Sequence, residues 1–226
     1  MLARFLPLFG LLFVGSLIGR SFGPQPGSVA VYFQGAPPNS GVALDSLKTE
    51  LTSLLNGATY KIQWGDSKQP MVTGGTLVVV EFRGACLPAS LPVPDATSFE
   101  KSSGSSLASS QVMSERILPF ISLDCRALND LLGVPIAQLP AGQRDLVYGR
   151  AMARLLAHEL YHFLTQTTHH SKSGIAKAAV SATDLLSDHF DFDGEAFAKL
   201  HASLLPARQH AAALDRAAAK HSDHIL

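Results

Sequence analysis

GQRDLVYGRAMARLLAHELYHFLT, at residues 142–165, predicts one long helix because its apolar residues recur every three or four positions. At about 100° per residue these side chains form a broad arc, the expected buried side of the helix. The arc consists of Leu146, Met152, Leu156, Leu160 and Phe163. Arg150, Arg154 and Tyr161 fall on another stripe, which we expect to be exposed to solvent.

The same helix carries the motif H-E-x-x-H, formed by His158, Glu159 and His162. Side chains four residues apart lie above one another on a helix, so two imidazoles can reach one Zn²⁺ at about 2.0–2.1 Å. Glu159 is rotated by about 100° from His158. It can therefore accept a proton from a water that the metal activates, the role of a general base. Both histidines lie beside Ala151 and Leu155 at a border of the apolar arc, a position that can face a cleft. The alternative is a chance match on a helix with two ordinary histidines.

A catalytic zinc generally has three protein ligands and one open position. His169 and His170 follow His162 closely, and a turn after the helix can bring either of them back to the metal. The residues alone leave this choice open. Other candidates from later in the chain are Asp184, Glu195 and His189.

The segments around this helix predict a sheet with packed helices. Strands are expected at 29–33, 59–64, 76–82, 106–112 and 116–124, and helices at 41–55, 126–132 and 181–187. The continuous apolar run at 76–82 indicates a central strand, whereas 106–112 is expected at an edge. Pro119 suggests a bend or bulge in the strand that contains it. The order of elements predicts an α/β (α+β) fold, a mixed sheet with packed helices.

Composition limits the classes of function. The chain has 226 residues, of which 46% are apolar and 16% charged, which is typical of one globular domain and excludes a disordered chain. The formal net charge is zero, which argues against a nucleic-acid partner.

The N-terminus predicts export. Residues 5–19 form an apolar run after Arg4, typical of a signal peptide at 1–23 and shorter than the roughly 20 residues of a membrane span. An uncleaved anchor is the alternative. We expect a secreted or periplasmic protein without another membrane segment, with a catalytic domain at 24–193 and a helical C-terminal tail at 194–226.

The two cysteines predict one disulfide. An even, small number of cysteines outside the cytosol favours pairing. Cys86 follows the strand at 76–82, and Cys125 ends the strand at 116–124. If these strands are neighbours, the two Cα atoms can approach within the roughly 4.4–6.8 Å that a disulfide needs. Two buried free thiols are the alternative.

The helix at 148–162 resembles the active-site helix of the metzincin clan of zinc peptidases, and the order of strands before it is similar to that clan's mixed sheet. The chain has Thr165 and Thr168 where the clan has a glycine and a third histidine, and no methionine follows Met152. Residues 76–187 also resemble a functionally unassigned group of bacterial secreted proteins. In that group HELYH is followed by a histidine four residues before Gly-[Ile/Val]-Ala-Lys. That histidine is His170 here, so the resemblance implies His170 rather than His169 as the third ligand.

Together these features predict a secreted or periplasmic zinc-dependent hydrolase. Among such hydrolases they favour a peptidase that acts on a protein or peptide. The expected edge strand favours a peptidase, because it can pair with an extended peptide through the main chain. A non-catalytic secreted binding protein that retains a zinc site is the alternative. The sequence leaves the oligomeric state open.

Overall fold

The computed structural model describes residues 27–35, 41–65, 76–86 and 106–204. The predicted signal peptide at 1–23 and the part of the predicted tail beyond residue 204 lie outside these residues. The elements are β1 (Ser28–Gln34), α1 (Gly41–Gly57), β2 (Lys61–Gly65), β3 (Thr76–Arg83), β4 (Ala108–Met113), β5 (Arg116–Asp124), α2 (Cys125–Ala137), α3 (Ala141–Thr165), α4 (Ala182–Leu186) and α5 (Gly194–Ser203).

The five strands form one mixed sheet in the order β2-β1-β3-β5-β4. The first four of these pair in parallel, and β4 pairs antiparallel with β5 at one edge. Alternate side chains of β1, β3 and β5 are buried in one hydrophobic core with α1 and α3. The predicted α/β (α+β) fold, a mixed sheet with packed helices, is confirmed, as are the central place of β3 and the edge place of β4.

The pairing of β4 with β5 is interrupted where the sequence predicts a bend. Ser110 lies opposite Ile121, but the next aligned pair is Val112 with Ile117. Three residues of β5, Pro119 among them, therefore face a single residue of β4. Proline has no amide hydrogen to donate, so a bulge is one of the few places in a sheet that accommodates it.

The surface of α3 differs from the sequence-based prediction. Arg154 is 2% exposed and Tyr161 is fully buried, although both were expected in solvent, whereas Leu146, expected in the core, is 47% exposed. The prediction is wrong here because α4 and α5 pack against α3 and cover the stripe that carries Arg154 and Tyr161. A helix covered on several sides no longer has the single apolar face that periodicity assumes.

Helix α2 is longer than predicted and continues through Gly133 and Pro135 to Ala137. Leu128, Leu132 and Ile136 are fully buried at four-residue spacing. Burial of this face outweighs the low helix propensity of Gly133, which had predicted the end of the helix.

A disulfide joins Cys86, after the end of β3, to Cys125 at the start of α2, as predicted. The two Cα atoms are 4.9 Å apart. This distance follows from the sheet, because β3 and β5 are adjacent parallel strands whose carboxyl ends lie at the same edge. Among the described residues, no helix has both the length and the apolar character needed to cross a membrane.

Gly149 allows α1 and α3 to pack closely. A Cβ atom at this position would collide with the backbone oxygen of Ala43 and would lie 2.7 Å from the Cβ of Ser46. We expect Gly149→Ala to lower the free energy of unfolding by about 1–3 kcal/mol, because overpacking forces the backbones apart. Urea unfolding followed by circular dichroism measures this change.

Gly142→Ala is the matched control in the same helix, because nothing lies within 4 Å of a Cβ at that position. Alanine has the higher helix propensity, so this variant should be as stable as the wild type or slightly more stable. Equal stability of the two variants would contradict the close approach of α1 and α3.

Candidate metal centre

Three histidine side chains meet at one point beside α3. The Nε2 atoms of His158 and His162 are 3.1 Å apart, and the Nε2 atoms of His162 and His170 are 3.2 Å apart. One ligand atom from each residue lies within 4.8 Å of the other two. His158 and His162 lie one turn apart on the helix, and His170 comes from the loop that follows it.

Backbone carbonyls determine which ring nitrogens carry the protons. Nδ1 of His158 lies 2.7 Å from the carbonyl oxygen of Ile175, and Nδ1 of His162 lies 2.7 Å from that of Thr167. A carbonyl can only accept, so each Nδ1 must be the protonated nitrogen. In the neutral rings the Nε2 lone pairs are therefore free, and they point towards each other. This is the pattern of metal-ligating histidines, whose other ring nitrogen donates to a backbone carbonyl.

Burial keeps these rings neutral. Desolvation lowers the pKa of His158 and of His162, and this outweighs the hydrogen bonds to Ile175 and Thr167, which favour the charged form. The neighbouring His170 lowers both pKa values further. A neutral imidazole is the form that binds a metal.

The donor set fits zinc. Ligands at 2.0–2.1 Å in a tetrahedral arrangement are about 3.3 Å apart. Two of the three separations here, 3.1 and 3.2 Å, are close to this value, and all three lie within 4.8 Å. Three imidazole nitrogens are a known catalytic ligand set for this metal, with a fourth position open. His162 is buried, whereas His170 is exposed, so the cluster lies at the protein surface and is accessible from solvent.

Glu159 lies between the histidines and the edge strand. Its side chain is almost buried, and its Oε2 accepts a hydrogen bond of 2.7 Å from the hydroxyl of Ser110 in β4. A cavity of about 190 Å³ adjoins this carboxylate and is lined by Ala108, Leu155, His158 and Val180, among others. Glu159 thus flanks the histidine cluster, beside a cleft formed by β4 and α3.

A left-handed residue ends α3 and turns the chain. Gln166 has φ 50° and ψ 42°, and its backbone N–H donates to the carbonyl of His162. Its side-chain Oε1 accepts a hydrogen bond of 3.2 Å from the backbone N–H of Ile117. Its side-chain Nε2 donates one of 3.0 Å to the backbone carbonyl of the same residue. These bonds attach the end of α3 to β5, and the loop that follows places both the Thr167 carbonyl and His170 at the cluster.

The next loop holds the carbonyl that orients His158. Ser171 N–H donates to Ala176 O, and Ile175 N–H donates to Asp191 O, at 2.8 and 3.0 Å. Ile175 and Ala176 are fully buried. Gly174 has φ +67°, and a Cβ there would collide with the backbone oxygen of Asp191. The Gly-Ile-Ala segment is therefore anchored in the core, which fixes the Ile175 carbonyl.

The other candidates for a third ligand lie elsewhere. His169 is exposed, and its carbonyl accepts a hydrogen bond from the buried Tyr161. Burial disfavours the charged form of Asp184, but the ammonium of Lys177 at 2.7 Å and donors from Ser181 outweigh this and lower its pKa to about 2. Glu195 pairs with a lysine on its own helix α5. Neither these residues nor His189 belong to the histidine cluster found in the described part of the chain.

Sequence reasoning did not find four contributors to this site. These are Ser110, Gln166 and the carbonyls of Thr167 and Ile175. A carbonyl has no signature in the sequence, and Ser110 is one of many serines in its region. For Ser110, the available signal was its place in the predicted edge strand. Alternate residues of such a strand face the helix beside it.

No family model matches the chain, and no curated protein matches it significantly. Among solved structures, it is similar to the crystal structure of archaemetzincin from Methanopyrus kandleri. The two are 13% identical, with a TM-score of 0.45, over 83% of this chain and 99% of that one. The sequences are too different, and the superposition too loose, for this likeness to assign an activity to the chain.

Proposed function

We propose that this protein is a zinc-dependent hydrolase that cleaves peptide bonds. The observation that carries the proposal is the convergence of three histidine Nε2 atoms, with Glu159 lining the same cavity as His158. Each part is needed for the chemistry, since the imidazoles hold a metal and a carboxylate outside the ligand set can accept a proton.

His158, His162 and His170 would hold Zn²⁺, which when bound supplies a Lewis acid that lowers the pKa of water and polarises a substrate carbonyl. Glu159 accepts the proton of the attacking water and then delivers it to the leaving amine. The Ile175 and Thr167 carbonyls hold the two helix imidazoles in the tautomer that leaves Nε2 free.

The edge strand supports a peptide as the substrate. β4 pairs with β5 on one side and has no strand partner on the other among the described residues. Its residue Ala108 lines the cavity that adjoins Glu159. An extended peptide can add to such an edge through main-chain hydrogen bonds, which would place a peptide bond beside the catalytic groups.

The disulfide supports a location outside the cytosol. Disulfides persist in oxidising compartments and are rare in the reducing cytosol. Together with the predicted signal peptide at 1–23, the Cys86–Cys125 pair favours a secreted or periplasmic enzyme.

We expect His170→Ala to weaken zinc binding by more than about 100-fold. Removal of a residue that only orients a metal ligand already lowers metal affinity by about 10- to 100-fold, and removal of a ligand itself should cost more. His169→Ala is the matched control, since it removes the neighbouring exposed imidazole, which is outside the cluster. Competition with a chromophoric chelator measures both affinities. Equal weakening by the two variants would contradict the assignment of His170.

Cleavage is tested by incubating the purified zinc-loaded protein with a mixed peptide library and identifying the products by mass spectrometry. We expect cleavage that stops when a chelator removes the metal and returns when zinc is added. A protein that binds one zinc per chain but cleaves no peptide would instead be a binding protein that retains a zinc site.

A further inference from the structure

Ser110 and Glu159 are 49 residues apart in sequence but in direct contact. The Ser110 hydroxyl lies 2.7 Å from Oε2 of Glu159 and 3.5 Å from its backbone carbonyl. Glu159 as a whole residue is 7% exposed, so a hydrogen bond to its carboxylate is little weakened by solvent. A hydrogen bond to a charged acceptor is about twice as strong as one between neutral groups.

The sheet directs the Ser110 side chain towards α3. Ser110 lies opposite Ile121, and directly opposed residues of an antiparallel pair share one face. Ile121 is buried in the core that α3 also contacts, so Ser110 faces the helix. Its neighbour Ser109 lies on the other face and is exposed. The register of the pair shifts directly after Ser110, and bulges beside active sites commonly redirect a side chain.

The contact leaves one carboxylate oxygen available. The hydrogen bond from Ser110 engages Oε2, and no described residue donates a hydrogen bond to Oε1. The carboxylate is therefore held at one oxygen by the edge strand, while the other can accept a proton from water. Ser110 keeps its own proton throughout this transfer.

We propose that Ser110 is a positioning residue that fixes the orientation of the Glu159 carboxylate for proton transfer. This inference rests on the proposed function. A displacement of about 1 Å in a reacting group can cost about 100-fold in rate. Ser110 therefore affects the chemical step, through Glu159, without contacting the zinc ligands' Nε2 atoms.

The test compares Ser110→Ala, Ser110→Thr and the control Ser53→Ala, at an exposed serine on α1, as zinc-loaded full-length proteins, with a peptide that the wild type cleaves. We expect Ser110→Ala to lower kcat by about 10- to 100-fold, the equivalent of one hydrogen bond to a charged group. The KM and the zinc content should stay unchanged, because the metal ligands are intact. Threonine keeps the hydroxyl and should restore most of kcat, and Ser53→Ala should behave as the wild type.

A purely structural role predicts a different result. In that case Ser110→Ala changes the unfolding midpoint but leaves kcat at the wild-type value, or threonine fails to restore kcat, and either outcome overturns the proposal. Crystal structures of the wild type and of Ser110→Ala provide a readout independent of activity. We expect the Glu159 carboxylate of the variant to move or to occupy more than one rotamer.

The same structures separate this inference from the proposed function. If the zinc-loaded wild type cleaves no peptide, the proposed function fails. The orientation of the Glu159 carboxylate in the two crystal structures then tests by itself whether Ser110 positions it. A displaced carboxylate in Ser110→Ala supports that role, and an unchanged single orientation overturns it.

Discussion

Glu159→Gln is expected to lower kcat by about 10²–10⁴-fold, the usual contribution of a positioned general base. Glutamine has nearly the same shape, and its amide oxygen can still accept the hydrogen bond that Ser110 gives to Oε2. It cannot take a proton from water at neutral pH. The side chain is outside the histidine cluster, so the variant should bind as much zinc as the wild type. Metal analysis combined with steady-state kinetics on one peptide measures both properties.

His162→Ala is the contrasting variant, because its imidazole belongs to the cluster. It should lose both zinc and activity, which separates metal binding from proton transfer. Cleavage by Glu159→Gln at the wild-type rate would eliminate Glu159 as the base. Loss of zinc from Glu159→Gln would show instead that the carboxylate supports the metal site.

Arg154→Met is expected to lower the free energy of unfolding by about 3–5 kcal/mol, the cost of removing one partner of a buried ion pair. Arg154 is 2% exposed, and its guanidinium lies 2.9 Å from the carboxylate of Glu50. It also donates to the carbonyls of Leu185 and Ser187, at 2.9 and 2.7 Å. Methionine fills much of the same volume. It leaves the partly buried carboxylate of Glu50 without its positive partner, and the carbonyls of Leu185 and Ser187 without the guanidinium that donates to them. Chemical unfolding of the metal-free protein gives the change.

Arg150→Met is the matched control, one turn earlier on α3. Its ion pair with Asp188 is longer, at 3.5 Å, and the Asp188 side chain is 88% exposed. Such a surface pair contributes about 0–1 kcal/mol, so this variant should be nearly as stable as the wild type. Adding Glu50→Gln to Arg154→Met should recover part of the lost stability, because it removes the unpaired charge. A loss below 1 kcal/mol for Arg154→Met would contradict the role of this side chain in joining α1, α3 and α4.

Local sequence determined the elements and the chemistry of the central helix. The apolar run at 76–82 was enough to predict β3 as the central strand of the sheet, which it is. Only its alternate residues face the core, and Leu77 on the other face is 40% exposed. Helical periodicity predicted α3 to within a residue of its observed ends. The i, i+4 spacing of His158 and His162 put two imidazoles on one face, because helix geometry alone determines that relation. Their role as zinc ligands remains a prediction, as do the signal peptide at 1–23, the division at residues 193 and 194, and the peptide substrate.

Tertiary structure decided every feature that depends on residues distant in the chain. Arg154 is buried because the carboxylate of Glu50 neutralises its charge and carbonyls at the end of α4 accept its hydrogen bonds, which helical periodicity cannot anticipate. His170 rather than His169 joins the cluster because Gln166 adopts a left-handed conformation and the segment beyond is anchored in the core. Ser110 reaches Glu159 only because β4 pairs with β5 in a register that turns it towards α3. The sequence by itself determined which side chains can share a helix face or a strand face, because those relations are local. Which segments then cover a face, and which serine or histidine completes the site, depended on packing between distant parts of the chain.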